Sequence, residues 1–331
     1  MSPRTIVVAV SSVVLTWTTV LGASPASATY PGRNGEIVFG SITDSGRQLF
    51  TVDEHGHRQR QVTHIVGADA AFPDWSPSGR RIVFDRETAD SCSVMVMRAD
   101  GSHVRDLSRG RPGCEQNAAF TPDGRHLVFV AQRCQDCMEG IWLMDLHGHQ
   151  RHLITPSPAG QHSKDPNVSP DGRKLGFIAE DEQNRASVYV VDLVSHRRRQ
   201  VVPPSYDVSR KLDWSPDSRR ILFSDNANET DLPANLATVR PDGGGLRFLT
   251  HHTDASTRAF AGSYSPDGRW VVARLESARG FTLARVRIRD GRTRQILQST
   301  DTAQTGSDWG AEPPGSRGLR THREQAQGGI R

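Results

Sequence analysis

A segment reading Pro-Asp-Trp-Ser-Pro-Ser-Gly-Arg-Arg-Ile-Val-Phe at 73–84 recurs, with variation, at 119–129, 166–177, 213–223 and 264–273. Measured at its Ser or Thr (Ser76, Thr121, Ser169, Ser215, Ser265), the steps are 45, 48, 46 and 50 residues. A period in that range marks a repeat architecture, in which each unit buries its apolar face only against its neighbours. Each part of the segment has a physical task. The aromatic residue (Trp75, Phe120, Trp214, Tyr264) ends a strand and packs between sheets. Ser-Pro-Asp-Gly makes a tight turn: Pro presets φ, Asp bonds back to the backbone, and Gly takes positive φ. The Ile-Val-Phe run that follows is a short strand buried on both faces.

A third strand follows in each unit, at 49–52, 94–97, 141–144 and 188–191, with weaker versions at 236–239 and 283–286. Hairpin turns come next at Asp100-Gly101, His147-Gly148, Asp242-Gly243 and Asp290-Gly291, and a polar fourth strand closes the unit. Four strands in such a period make a propeller blade. The two ends are complementary halves. Residues 34–39 match a second strand with no inner strand before it, and 307–310 match an inner strand with no second strand after it. The expected fold class is therefore all-β: a six-bladed β-propeller of four-stranded antiparallel blades. The C-terminal strand joins the N-terminal blade, which closes the ring and hides edges that an open array would expose.

Composition agrees. Only 35% of residues are hydrophobic, and the chain carries 30 Gly and 19 Pro, which suits thin sheets and many turns better than a large helical core. The net charge of +4 does not signal nucleic acid. Arg4 and the basic tail at 314–331 account for it, and the body at 29–313 is neutral, unlike the electrostatic footprint of a DNA-binding domain.

Arg4, a softened apolar run at 5–22 and Ala26-Ser27-Ala28 read as a signal peptide over 1–28, cleaved after Ala28. No other stretch is apolar enough to span a bilayer. The expected location is secreted or extracytoplasmic, with the propeller at 29–313 and a disordered tail at 314–331. Export places Cys92, Cys114, Cys134 and Cys137 in an oxidising compartment. Three pairings are open. The expected one is Cys92–Cys114, tying a loop to the next connection, with Cys134–Cys137 stapling one loop. Cys134-x-x-Cys137 also has the spacing of a metal half-site or a redox pair.

The repeated Trp-Ser-Pro-Asp-Gly-Arg-x-Ile-x-Phe pattern resembles the TolB-type (PD40, WD40-like) propeller repeat, over roughly residues 30–313. The resemblance implies the fold more strongly than a function. In a propeller, loops after second strands share a face with the connections between blades, around the mouth of the central channel. That face gathers Asp69, Glu115, His162, Asp165, Asp207, Arg210 and Arg258, the candidate contact residues for a protein or cell-envelope partner. These residues stand at differing offsets from the repeat and form no registered set. No Gly-x-Ser-x-Gly elbow, P-loop or Gly-x-Gly-x-x-Gly occurs. The leading expectation is an exported, monomeric, non-catalytic binding protein without cofactor. The alternative follows from oligogalacturonate lyases, which resemble this repeat family. It is a metal-dependent lyase or hydrolase on uronate-type polysaccharide, with His162, His251 and His252 holding one divalent ion.

Overall fold

The computed structural model describes residues 29–111, 113–132, 139–226, 231–299 and 306–316, without the side chains of 209, 210 and 299. Residues 1–28, where the sequence predicts a signal peptide, Cys134, Cys137 and the end of the tail, 317–331, lie outside the described residues. The chain forms an all-β propeller, as the repeat implies. Four of its sheets have four strands. One orders Ser307–Ala311, Asn34–Thr43, Gly46–Val52 and Arg60–Gln61, so the C-terminal strand pairs antiparallel with the N-terminal one. Three more start at the inner strands Gln161–Val168, Ser209–Trp214 and Arg258–Tyr264.

The remaining sheet has eight strands rather than two sets of four. A single parallel bridge, Cys92 opposite Cys114, joins the unit beginning at Asp69–Trp75 to the unit beginning at Cys114–Phe120. The expectation of six separate four-stranded blades is thus borne out only in part: four sheets have four strands, and the fifth has eight. The bridge coincides with a covalent link. The Cys92–Cys114 disulfide holds the two Cα atoms 4.7 Å apart, and strands so clasped pair locally.

The turn chemistry follows the sequence. Ser169 Oγ donates to Asp171 Oδ1 (2.7 Å) and accepts from the Lys174 N–H (2.9 Å), while Gly172 sits at φ +70°. The same Ser/Thr-to-Asp bond recurs at Thr121–Asp123, Ser215–Asp217 and Ser265–Asp267, each 2.6 Å. Where Gly is replaced by Ser218, the residue still takes φ +60°. Its hydroxyl accepts from the Asp171 N–H of the neighbouring unit (2.9 Å), which offsets the strain.

The core lies between sheets. The repeat aromatics Trp75, Phe120, Trp214, Tyr264 and Trp309 are all buried. Ile178, Val188 and Val190 of one sheet pack against Leu212, Trp214 and Phe223 of the next. Trp309 and Phe39 pack with Val272 and Leu283, joining the last sheet to the first.

Two turn glycines separate the two reasons for glycine. At Gly172 the added methyl of Ala would meet only Pro122 Cγ, 4.0 Å away, so Gly172→Ala should cost the positive-φ penalty alone, about 1 kcal/mol. Gly79 has φ +63°, and a methyl there would also run into the Ala311 carbonyl of the C-terminal strand. Gly79→Ala should cost roughly 3 kcal/mol in urea unfolding. Equal costs would mean that the C-terminal strand does not press on this turn.

Candidate functional site

The inner strands share an irregularity. The register shifts between Ala71 and Asp74, Gln116 and Ala119, Lys164 and Asn167, Ser209 and Asp213, and Ala261 and Tyr264. A bulge re-aims the side chain at its extra residue. Here the residue three places before the aromatic position turns into the central channel. Phe72, Asn117, Asp165, Lys211, Ala261 and Gly306 occupy that position, and all six line one cavity of about 550 Å³. Phe72, Asn117, Asp165 and Gly306 hold φ values of +46°, +53°, +47° and +58°. For Gly306 that is easy. For Phe72 it is a strained conformation, and strain of this kind clusters at functional sites.

One residue before the aromatic, a second set ties the units together. Asp74 Oδ2 accepts the Phe120 N–H (3.0 Å), Asp213 Oδ2 the Tyr264 N–H (2.7 Å), Ser263 Oγ the Trp309 N–H (2.7 Å) and Asp308 Oδ2 the Trp75 N–H (2.7 Å). Lys211 reaches down among these carboxylates, 2.8 Å from Asp308 Oδ1 and 3.8 Å from Asp74 Oδ1. Burial alone would lower the Lys211 pKa, but Asp308, Asp74 and Asp213 outweigh it and hold the ammonium above its ordinary value. Burial pushes Asp74 well up, with Asp308 adding to it, and pushes Asp213 to about 7. Three carboxylates around one ammonium in a dry site oppose one another's ionisation, and burial weighs heavily on Asp74.

The cavity wall is divided. Phe39, Phe72, Phe260 and Leu283 give it apolar surface, while Gln116, Asn117, Gln132, Lys164, Asp165 and Lys211 give it polar surface. Around the rim, each lining cation has a carboxylate partner. Arg47 lies 3.5 Å from Glu87 and 3.8 Å from Asp69, Lys164 pairs with Glu180, and Arg274 pairs with Glu276. Glu87, Glu180 and Glu276 are themselves registered, each twelve residues after its unit's inner-strand terminus, with Gln132 and Asn226 in the same position.

Of the residues expected at the channel mouth, the cavity lining takes Asp165. The others have different surroundings. Asp69 accepts the Arg47 N–H (2.8 Å) at the rim. Glu115 is buried in a two-pronged ion pair with Arg151, whose guanidinium also lies 5.0 Å over the Phe129 ring. Asp207 caps the short 3₁₀ turn Pro204–Tyr206 at φ +43°. Arg258 donates to the Asn226 carbonyl (3.1 Å) and lies 4.9 Å over Phe260. The Arg210 side chain lies outside the described residues. His162 engages Glu139 (3.0 Å), and His252 is tied to Asn235 by its backbone. Among the described residues, no three His, Cys, Asp or Glu side chains gather as a metal site. Sequence reasoning missed both registered sets. The signal was a fixed offset from the aromatic, not a shared chemistry.

Fold and cavity together define a β-propeller with a lined central channel. The chain belongs to the TolB beta propeller domain (PD40) family, which matches residues 109–312. It is 21% identical over 255 residues to the Tol-Pal system protein TolB of Francisella tularensis, covering 77% of this chain and 56% of that one. It is 26% identical over 200 residues to the uncharacterized peptidase YuxL of Bacillus subtilis, covering 46% of this chain and 28% of that one. The chain therefore spans about half or less of the length of these curated relatives. The crystal structure of TolB from Acinetobacter baumannii superposes with a TM-score of 0.66 at 18% identity, over 85% of this chain and 68% of that one, a likeness of fold.

Burial raises the Asp165 pKa to about 7, against the pull of Lys164 and Lys211 and with help from Glu180. The folded state then holds a proton that the unfolded chain releases. The contribution is full below the ordinary carboxylate range and is lost as pH rises through about 7. Because Asp165 is only half-buried, the effect should be on the order of 1 kcal/mol. Denaturant stability should fall between about pH 4 and pH 7, and Asp165→Asn should flatten that slope, with the other raised carboxyls, Asp74, Asp85, Asp213 and Asp225, supplying the remainder. Parallel profiles would remove Asp165 as a source.

Proposed function

We propose that this protein is an extracytoplasmic, non-catalytic propeller of six blades, the eight-stranded sheet counting as two. Closure comes through the pairing of 307–311 with 34–43. It acts as a monomer and binds a protein or cell-envelope component through the channel mouth. The observation that carries this reading is the registered ring around the cavity, above all Phe72, a bulky side chain held at φ +46° on the cavity wall. Strain maintained at a lining position argues for a use of that position. The half-apolar, half-ionic lining suits a partner surface with both characters. The leader-like 1–28 segment and the curated relative named for the Tol-Pal system support an envelope setting and a protein partner.

Phe72 allows binding and stability to be separated. Phe72→Gly relieves the positive φ, so stability should stay level or rise by about 1 kcal/mol. Capture of the partner by the immobilised full chain from solubilised envelopes should nevertheless fall about tenfold, which corresponds to roughly 1.4 kcal/mol. Undiminished capture would move the site away from this cavity. The metal content of natively purified protein discriminates the lyase-like alternative. The binding reading expects well under one divalent ion per chain after a chelator wash, and an equimolar ion would favour the alternative.

A further inference from the structure

The channel has a floor, and the chain's own residues 29–32 make it. Tyr30 is buried with its hydroxyl donating to the carbonyls of Phe120 (3.2 Å) and Thr121 (3.1 Å). The Gly32 N–H donates to the Pro266 carbonyl (3.1 Å). Thr29 is 5% exposed, and its hydroxyl donates to Asp213 Oδ2 (2.5 Å). Segment 29–32 is therefore tied to three different sheets. It sits against the cluster of Asp74, Asp213, Asp308 and Lys211; burial raises the Tyr30 phenol pKa, and Asp74, Asp308 and Asp213 add to it.

The charges of that cluster do not balance. Three carboxyl groups, Asp74, Asp213 and Asp308, gather around a single ammonium, Lys211. A buried charge without a partner is costly, and a second cation would remove the excess. The residue already seated there is Thr29, the residue that follows the small-residue motif Ala26-Ser27-Ala28.

We propose that the channel floor is a binding site for a primary ammonium group, filled by the chain's own α-amine at Thr29. A leader peptidase would supply it by hydrolysing the Ala28–Thr29 peptide bond. Water is the co-reactant: the Ala28 carbonyl leaves as a carboxylate, and the Thr29 nitrogen takes the proton. Before cleavage, position 29 offers a neutral amide. After cleavage it offers a cation on the same residue whose hydroxyl already holds Asp213. Processing would thereby complete the ion set that joins the sheets, and the mature fold would be more stable than the precursor. The acidic cluster alone would not carry this inference. The buried Thr29 in contact with it, placed directly after the cleavage motif, does.

The inference rests on the export reading above, and its test separates the two. The full chain, exported with its own leader, is purified and its intact mass measured. A mass starting at Thr29 is expected; a start at another residue would overturn the ammonium site alone, and an uncleaved chain would overturn both readings. The α-amine is then reductively methylated in native protein and in urea. Native labelling should be at least about tenfold slower, as for an amine whose pKa rises by one unit or more beside carboxylates. Equal rates with a Thr29 start would overturn the ammonium site and leave export intact. A second protein carries one Gly inserted between Ala28 and Thr29, which moves the charge by a residue. Its midpoint of thermal unfolding should fall by several degrees, and Asp213→Asn should cost it less than it costs the wild type. Additive effects would overturn the proposal. The labelling experiment needs no variant, so a misfolded Asp213→Asn chain would not leave the question open.

Discussion

Adjacent units are held together at four junctions by one recurring bond: a carboxylate or hydroxyl on one inner strand accepts the backbone N–H of the next unit's aromatic residue. Asp308 does this for Trp75, Asp74 for Phe120, Asp213 for Tyr264 and Ser263 for Trp309. An inner strand has hydrogen-bonded neighbours on only one side, so the N–H groups on its channel side lack ladder partners. Leaving them bare in a narrow channel would cost more than any apolar contact nearby could return. The capping side chains satisfy them and at the same time set the height of each sheet against the next. A second tier repeats the device, with Asp85 accepting the Asn117 N–H (2.6 Å) and Ser224 the Ala261 N–H (2.7 Å). The interdigitation of Trp214 and Trp309 with their neighbours depends on that fixed height.

The bulge beside each cap turns this structural need into a cavity. Because two residues of the inner strand oppose one on its neighbour, the side chain three places before the aromatic swings toward the channel axis. Capping thus fixes one set of residues and frees another. Asp74, Asp213, Ser263 and Asp308 are held by backbone bonds and have little latitude to change. Phe72, Asn117, Asp165, Ala261 and Gly306 meet the channel and answer to whatever enters it. Lys211 belongs to both sets, since it stands at the lining position but spends its charge on the carboxylates below.

The fold was legible because its signals are local. Ser-Pro-Asp-Gly closes its turn within five residues, and the bonds Ser169–Asp171 and Ser215–Asp217 need nothing from the rest of the chain. The eight-stranded sheet was not foreseen, although the covalent link at its bridge was: the Cys92–Cys114 pair was expected, but not two strands in register beside it. The site was much less legible. Ionisable residues in the connections look like the natural lining, yet Glu115 is committed to Arg151, 36 residues away along the chain, and Asp207 to capping a turn. The actual lining of Phe72, Asn117, Asp165, Lys211, Ala261 and Gly306 has no common chemistry for a residue-type search to find. It becomes visible only when the aromatic is used as the origin of a count. The Asp of Pro-Asp-Trp was visible in the repeat, but its role lies in the neighbouring unit, where a single-unit reading does not look.

The floor and the rim impose a direction on any ligand. Thr29, Tyr30 and Gly32 bond to three sheets at the end of the channel next to the turns, which favours entry from the opposite face in the proposed docking. On that face the cations Arg47, Lys164 and Arg274 are already paired with Glu87, Glu180 and Glu276. An arriving group must either exchange with one of these carboxylates or bind between them. Exchange within a partly buried pair returns little net energy, because each new contact replaces an old one. Affinity in the proposed docking then has to come from the apolar wall of Phe39, Phe72, Phe260 and Leu283, while the ion pairs select orientation. That division of labour, apolar surface for strength and fixed charges for selectivity, is what a docking surface requires.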